Sequence, residues 1–162
     1  CDELGIKISR INAELLILAL GEEAYPTVPK SIEELKTAVS TGKIVVSGGM
    51  FPAQSTDAVS AIAAEIIHAE ILVKATDVEG IYTSDPRKDP KARKIDEISV
   101  NDLKRMLSGK DVEAGEYELL DPQALKIIIR SKIPTVIIDG RDPENILKAV
   151  KGSRIGTRII FK

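Results

Sequence analysis

Residues 43–57 read Lys-Ile-Val-Val-Ser-Gly-Gly-Met-Phe-Pro-Ala-Gln-Ser-Thr-Asp. The apolar run at 44–46 predicts a short buried strand over 43–47, and Gly48-Gly49 follows that strand directly. Ser55 is a good N-cap residue, and the alanine-rich segment after it predicts a helix over 56–69. A strand, a glycine turn and a helix in this order indicate one unit of an α/β fold.

The rest of the chain alternates in the same way. Apolar runs at 71–75, 135–138 and 157–161 predict further strands, which are apolar on both sides like the strands of a parallel sheet covered by helices. Helices are predicted over 8–20, 31–40, 99–109, 121–131 and 142–152. The pattern predicts a three-layer α/β/α sandwich with a mainly parallel sheet, in a single domain over residues 1–162.

The composition excludes several classes of function. The net charge of −2 offers no general basic field for nucleic acid. No apolar run is long enough to cross a bilayer, so we expect a soluble cytoplasmic protein without a membrane partner. The chain has one cysteine, Cys1, and one histidine, His68, which leaves no disulfide framework and no cysteine or histidine cluster for a metal.

The loop at 48–57 has the residues that an anionic ligand needs. Ligands of open α/β sheets bind beyond the carboxyl ends of the strands. Gly48-Gly49 lets a ligand approach the backbone without a Cβ, and a helix that begins at Ser55-Thr56 offers N–H groups and the positive end of its dipole. No Gly-Lys-Ser/Thr follows, so this is not a Walker A loop. An ordinary strand-to-helix turn with an N-cap explains the same residues.

A second strand end reads Thr76-Asp77-Val78-Glu79-Gly80-Ile81-Tyr82-Thr83-Ser84-Asp85-Pro86. Tyr82 can pack on a base or a ribose, and Asp85 can accept hydrogen bonds from ribose hydroxyls. Aspartate, glycine and Asp-Pro are also turn residues, so a tight turn without a ligand explains this motif when it is taken by itself.

The two loops taken together are specific enough to indicate a protein family. Their order along the chain, with Gly-Gly…Ser-Thr-Asp-Ala before an alanine-rich helix and Thr-Asp-Val-Glu-Gly-Ile-Tyr-Thr-Ser-Asp-Pro after the next strand, resembles the amino acid kinase superfamily. Within it the chain is most similar to the archaeal UMP kinases, over essentially its whole length. Further stretches that support the resemblance are Ile11-Asn12-Ala13, Ala24-Tyr25-Pro26, Asp121-Pro122, Lys126-Ile127-Ile128 and Gly156-Thr157.

The resemblance implies that the family's first β-α-β region, with a glycine-rich phosphate loop and a catalytic lysine, is missing before residue 1. The start at Cys1 rather than at a methionine agrees with this expectation. We therefore expect an N-terminally incomplete amino acid kinase-like domain, with a UMP-side loop near 48–57 and an ATP-binding part from about residue 70 to 162.

The activity that the resemblance implies is that of a UMP kinase, which transfers the γ-phosphoryl group of ATP to UMP in pyrimidine nucleotide biosynthesis. It implies Mg²⁺ with the ATP and a homo-oligomer, a hexamer. Asp57 matches an aspartate that orients catalytic lysines in related kinases. The residues carried over for UMP are Gly48, Gly49, Met50, Phe51, Pro52, Ala53, Gln54, Ser55 and Thr56. Those carried over for ATP are Thr76, Asp77, Tyr82 and Asp85, and no metal ligand is carried over.

Two positions depart from the family pattern. Ala53 stands where many relatives have a glycine, and Asp77 stands where asparagine is frequent, which places a negative charge near a nucleotide. Three alternatives therefore stay open: another small-molecule kinase of the superfamily, a non-catalytic molybdenum/tungsten storage-type protein on the same fold, and a fragment that is inactive by itself.

Overall fold

The computed structural model describes residues 2–51, 54–107 and 120–161. The chain divides into two compact units, of which the first ends at His68 and the second begins at Ala69. That residues 1–162 form a single domain stays a prediction.

The first unit is helical. Helix α1 spans Asp2–Leu20 and is followed by one 3-10 turn at Gly21–Glu23, while α2 spans Ile32–Ser40 and α3 spans Thr56–Ile66. These bounds confirm the three helices that the sequence predicts here, although α1 begins earlier and α3 ends earlier than expected.

Side-chain caps explain why α2 and α3 begin where the sequence predicts. Ser31 Oγ accepts a hydrogen bond from Glu34 N at 3.2 Å, and Glu34 Oε2 accepts one from Lys30 N at 2.7 Å. Ser55 Oγ accepts from Ala58 N at 3.0 Å. Each serine thus satisfies a backbone N–H that has no partner inside the helix.

The strand predicted over 43–47 is wrong. Ile44 forms a single parallel bridge with Ala24, in which Tyr25 N donates to Ile44 O at 2.8 Å. The chain bends at Pro26 and Thr27 directly after this bridge, so the pairing does not extend. The apolar run is instead explained by side-chain packing on two clusters, one on each side of the segment.

Two small apolar clusters stabilise the first unit. In one, Val46 packs against the buried residues Ala13, Ile17, Ala24 and Val28. In the other, Val45 packs against Leu35 of α2, Met50 and Val59 of α3. Val46 packs on residues of α1 and its neighbour Val45 packs on Val59 of α3. The loop that follows these two residues therefore lies between α1 and α3.

The second unit is built on a four-stranded mixed sheet. The strands are β1 (Leu72–Thr76), β2 (Glu97–Ser99), β3 (Thr135–Asp139) and β4 (Thr157–Ile160), in the order β1-β3-β4-β2. The pairs β1–β3 and β2–β4 are parallel, and β3–β4 is antiparallel. The predicted α/β class is confirmed, with one antiparallel pairing in the mainly parallel sheet.

Three helices accompany this sheet: α4 (Val100–Leu107), α5 (Pro122–Ser131) and α6 (Glu144–Val150). Asp121 caps α5 as predicted, because its Oδ1 accepts from Gln123 N at 3.0 Å. The short strand β2 has a single buried residue, Ile98, and no apolar run around it predicts a strand.

The core of the second unit centres on β3. The side chains of residues 135–138 are fully buried, which confirms the two-sided apolar strand that the sequence predicts. Val136 and Ile138 pack with Ala149 of α6, and Val73 of β1 joins them. In the part of the chain that is described, no helix is long and apolar enough to cross a membrane.

Candidate functional site

A cleft of about 760 Å³ lies in the first unit, between α1, the loop at 47–51 and the start of α3. Six of the residues predicted to bind UMP line it: Gly48, Gly49, Phe51, Gln54, Ser55 and Thr56. The other lining residues are Gly5, Ile6, Ser9 and Asn12 of α1, Ser47, and Val59, Ser60 and Ala63 of α3. The cleft therefore brings most of the predicted loop together with a helix that the sequence analysis did not assign to the site.

The other predicted residues of this loop are Met50, Pro52, Ala53 and Asp57. Met50 is only 5% exposed and packs with Leu35 and Val59, so its side chain belongs to the apolar cluster. Pro52 and Ala53 lie outside the described residues. Asp57 is in the first turn of α3, next to the lining residue Thr56, and its orienting role stays a prediction.

The structure gives a packing reason for Gly48-Gly49. A Cβ on Gly48 would lie 2.8 Å from the backbone nitrogen of Arg10, and a Cβ on Gly49 would lie 3.0 Å from Ser9 Oγ. Helix α1 approaches so closely that Gly48 has no room for a side chain, and a Cβ on Gly49 would need the side chains of Ile6 and Ser9 to shift. Packing against α1 thus requires glycine at position 48 and favours it at position 49.

Two features of the cleft suit a polar, anionic ligand. The start of α3 opens onto it, and the first N–H groups of a helix together with its dipole favour negative charge. Gln54 Oε1 is buried and has no hydrogen-bond partner among the residues that the structure describes. A buried amide oxygen without a partner is costly, so a ligand with an N–H donor would stabilise it.

In the second unit, polar residues cluster where β1 and β3 end. Thr76 and Asp139 are register partners at these ends, and Gly140 N donates to Thr76 O at 2.7 Å. Asp77 forms an ion pair with Arg87, and Asp139 forms one with Arg141 at 2.6 Å. The carboxyl ends of two parallel strands thus present two carboxylates, each paired with an arginine.

The other two predicted ATP-side residues lie in the loop after β1. Tyr82 OH donates to Glu79 Oε2 at 2.9 Å. Burial raises the pKa of Tyr82, and Glu79 and Asp139 raise it further, so the phenol stays neutral. Asp85 Oδ1 accepts from Arg87 N at 2.9 Å and shapes the turn there. Thr76, Asp77 and Tyr82 therefore lie at one edge of the sheet, while Asp85 orders the turn beside them.

Sequence reasoning missed Asp139 and Arg141. Hydrogen bonds from Arg141 hold the pKa of Asp139 at about 2, and Asp139 in turn raises the pKa of Arg141. The charges of Asp77 and Glu79 also raise the pKa of Arg141, so Arg141 lies beside the predicted residues. The signal was present, because Asp139-Gly140-Arg141 directly follows an apolar strand.

Sequence reasoning also missed Ser9 and Arg10 in the first unit. Ser9 lines the cleft, and both residues donate or accept hydrogen bonds with Gly49. These contacts join residues about 40 positions apart along the chain, so no local sequence pattern predicts them. Within residues 2–51, 54–107 and 120–161, no three or more His, Cys, Asp or Glu side chains are grouped to hold a metal ion.

Comparison with known proteins shows which family the chain belongs to. The Amino acid kinase family matches residues 1–139. A uridylate kinase of Methanobrevibacter smithii is 49% identical over 162 residues, which are 100% of this chain and 72% of that protein. A uridylate kinase of Methanothermobacter thermautotrophicus is 49% identical over 160 residues, 99% of this chain and 71% of that one.

A solved structure shows the same likeness in three dimensions. The crystal structure of uridylate kinase from Archaeoglobus fulgidus superposes with a TM-score of 0.88 at 42% identity. The match covers 99% of this chain and 72% of that chain. On the family match and these relatives, the chain belongs to the amino acid kinase family.

Proposed function

We propose that this protein is a UMP kinase, which transfers the γ-phosphoryl group of ATP to UMP and releases ADP and UDP. The observation that carries the proposal is identity near 49% along the whole chain to proteins named uridylate kinase. The cleft in the first unit supports it, because six residues expected at UMP line one concave surface.

The cleft supports UMP as the acceptor through two kinds of group. A phosphate at the start of α3 would meet the hydroxyl of Thr56 and the N–H groups of the first turn. A pyrimidine in the same cleft would offer its ring N–H to Gln54 Oε1, which has no partner in the described structure. The apolar walls at Ile6, Phe51 and Val59 would cover the face of the base.

The edge of the sheet in the second unit supports ATP as the donor. Thr76 and Tyr82 offer hydroxyl groups, and Tyr82 also offers a ring that a ribose or base can pack on. Arg141 adds a cation that the sequence analysis did not assign. Hydroxyls, a ring and arginines are the groups that bind a nucleotide with its phosphates.

The reaction requires little covalent chemistry from the protein. An oxygen of the UMP phosphate forms a bond to the γ-phosphorus of ATP, and the bond from that phosphorus to the β-phosphate oxygen breaks, so ADP leaves with the electron pair. The UMP phosphate is ionised near neutral pH and needs no strong base. Catalysis is therefore positioning and neutralisation of charge, to which Asp57 would contribute by orienting a cation.

We propose that Mg²⁺ enters bound to the phosphates of ATP. Mg²⁺ in kinases is commonly held by substrate phosphates with one or two carboxylates, which fits the described part of this chain, where acidic side chains are not grouped into a metal site. When bound, the ion would supply positive charge against the phosphate oxygens. Asp77 and Asp139 are carboxylates at the ends of β1 and β3, where the donor is expected, and both are paired with arginines.

We further propose that the protein is a cytoplasmic homo-oligomer, for which the resemblance implies a hexamer. Large apolar side chains form an exposed stripe along α1, at spacings of four and three residues: Leu4, Ile8, Ile11, Leu15 and Leu18, 51% to 77% exposed. Lys7 and Glu14 flank the stripe. An antiparallel pair of α1 helices about a two-fold axis would place Lys7 of one copy beside Glu14 of the other, so a second copy fits both stripe and charges.

Sedimentation equilibrium tests the oligomer. Leu15→Glu puts a charge in the stripe and is expected to lower the mass of the particle, whereas Glu14→Gln is expected to weaken association only at low salt. An unchanged mass for Leu15→Glu would show that α1 does not join copies.

Release of ADP from ATP and Mg²⁺, dependent on a nucleoside monophosphate, tests the proposed activity. The full chain is assayed with UMP, CMP and AMP, and without an acceptor. We expect turnover selective for UMP. Folded protein that releases no ADP with any monophosphate would contradict the proposal. Small carboxylate and phosphate acceptors, and an analysis of bound molybdenum and tungsten, would then identify one of the alternatives.

A further inference from the structure

Helix α1 holds both polar backbone groups of Gly49. The N–H of Gly49 donates to Ser9 Oγ at 2.6 Å, and its carbonyl oxygen accepts from Arg10 Nε at 2.9 Å. Ser9 Oγ also donates to Ile6 O at 2.9 Å, so the direction of this hydroxyl is fixed. Two neighbouring residues of one helix therefore fix the peptide groups on both sides of Gly49.

This arrangement compensates for the flexibility of the loop. Two consecutive glycines have the least restricted backbone of any dipeptide, yet Gly48 and Gly49 line a cleft in which reacting groups must be held closely. Side chains cannot be added to stiffen the loop, since a Cβ on Gly48 would contact the backbone of Arg10. Hydrogen bonds from α1 are the remaining means of fixing these peptides.

The role of Arg10 is to position the loop rather than to touch the ligand. Ser9 lines the cleft, whereas Arg10 does not. Among the residues that the structure describes, the Arg10 guanidinium donates one hydrogen bond, and it goes to the carbonyl of Gly49 rather than to a carboxylate. A charged donor to a half-buried carbonyl makes a stronger hydrogen bond than a neutral one.

We propose that Ser9 and Arg10 are positioning residues for the phosphoryl acceptor, because they hold the Gly48-Gly49 backbone in the single conformation that receives it. This inference rests on the proposed function, since it takes the cleft as the UMP site. Loss of either hydrogen bond frees the glycine peptides, so the acceptor binds more weakly and lies less well aligned, while binding of ATP is unaffected.

Kinetics of three variants test the proposal. Arg10→Met keeps the apolar stem but removes the donor, and it is expected to raise KM for UMP about tenfold, with a lower kcat and an unchanged KM for ATP. Arg10→Lys restores a cationic donor and is expected to recover part of this loss. Lys36→Met is the matched control, because it removes an exposed cation from α2 of the same unit.

A loss of stability alone would act differently. If Arg10→Met lowers the melting temperature and raises KM for UMP and ATP together, or leaves KM for UMP unchanged, the positioning role is overturned. The same holds if Lys36→Met matches Arg10→Met.

Hydrogen exchange supplies a readout that does not depend on activity. We expect the amide of Gly49 to be protected in the full chain and to exchange at least about tenfold faster in Ser9→Ala, but not in Lys36→Met. An unprotected Gly49 amide in an active enzyme overturns the inference and leaves the proposed function intact. A protected amide in a protein without UMP-dependent turnover sinks the proposed function, and the acceptor role with it.

Discussion

The hydroxyl of Thr157 joins Ile81, 76 residues earlier in the chain, to β4. Ile81 N donates to Thr157 Oγ1 at 2.8 Å, and Oγ1 donates to Ile95 O at 2.5 Å. Thr157 is fully buried. Ile81 and Ile95 are the two ends of the hairpin at 81–95, the donor hairpin, which carries Tyr82 and Asp85. One hydroxyl therefore fixes both ends of the segment expected to bind ATP.

We expect Thr157→Val to destabilise the protein and to weaken ATP binding. Valine has the same shape but leaves Ile81 N–H and Ile95 O without a partner, at about 1–3 kcal/mol for each buried group. Urea unfolding measures the loss of stability, and KM for ATP reports the loosened donor hairpin. Thr157→Ser keeps the hydroxyl and is expected to lie close to the wild type. A Thr157→Val variant that is as stable as Thr157→Ser and has the same KM for ATP would show that the hydroxyl does not hold the donor hairpin.

Gly156 and Gly152 offer a matched comparison. Both have positive φ angles, +68° and +79°, but a Cβ on Gly156 would lie 2.0 Å from Ile137 O, while a Cβ on Gly152 would have nothing within 4 Å. Gly152→Ala is expected to cost about 1 kcal/mol for the left-handed backbone alone. Gly156→Ala must also move β4 away from β3 and is expected to cost at least about 3 kcal/mol in urea unfolding. Similar losses at the two sites would contradict this.

The helices of this protein could be predicted because their signals are local. Ser31 and Asp121 each cap a helix through a backbone N–H two or three residues away, so the sequence around them contains the whole interaction. The strand predicted from the apolar run at 44–46 was wrong because the interactions that make a strand are not local. Whether an apolar segment becomes a strand depends on a distant partner, and here the bends at Pro26 and Thr27 end the pairing after one bridge.

The residues of the candidate sites also divide into those with a local sequence signal and those without one. Gly48-Gly49 and Thr76-Asp77 could be found because unusual residues directly follow apolar runs. The same rule would have found Asp139-Gly140-Arg141. Nothing near Arg10 in the sequence indicates that its side chain reaches Gly49, and nothing near Asp77 indicates that Arg87 neutralises it. Such contacts depend on how segments pack, which pattern and propensity do not specify.

The ion pair of Asp139 and Arg141 predicts a pH dependence. The pKa of Asp139 is about 2 in the folded protein, below the usual value near 3.9 for an unfolded chain. A depressed pKa contributes stability above about pH 4, and this contribution is lost as the pH falls toward 2. Arg141→Met should return the pKa of Asp139 toward its usual value and flatten the dependence of stability on pH in this window.

Titration of the Asp139 carboxyl carbon by NMR measures that pKa directly, and urea midpoints between pH 2 and 6 measure the linked stability. Lys151→Met, which removes an exposed cation of the same unit, serves as the control. An Asp139 pKa that stays at about 2 in Arg141→Met would show that another group depresses it.

Asp77 and Arg87 should act on ATP as a pair. The aspartate places a negative charge at the expected donor site, and its ion pair with Arg87 offsets that charge. Arg87→Met leaves the charge uncompensated. Because two charges about 4 Å apart in water interact by about 1 kcal/mol, KM for ATP should rise roughly fivefold. Asp77→Asn removes the charge that Arg87 offsets. KM for ATP of the double variant, Asp77→Asn with Arg87→Met, should therefore be close to the wild-type value.

The comparison separates binding from folding. The side chains of the pair are 62% and 67% exposed, so the ion pair should contribute less than about 1 kcal/mol to stability, and all three variants should unfold near the wild-type urea midpoint. The coupling should therefore appear in KM for ATP and not in the midpoint, and it should weaken in high salt. If the two single changes instead add in the double variant, Arg87 contacts the nucleotide itself, and Asp77 is not the reason that an arginine stands there.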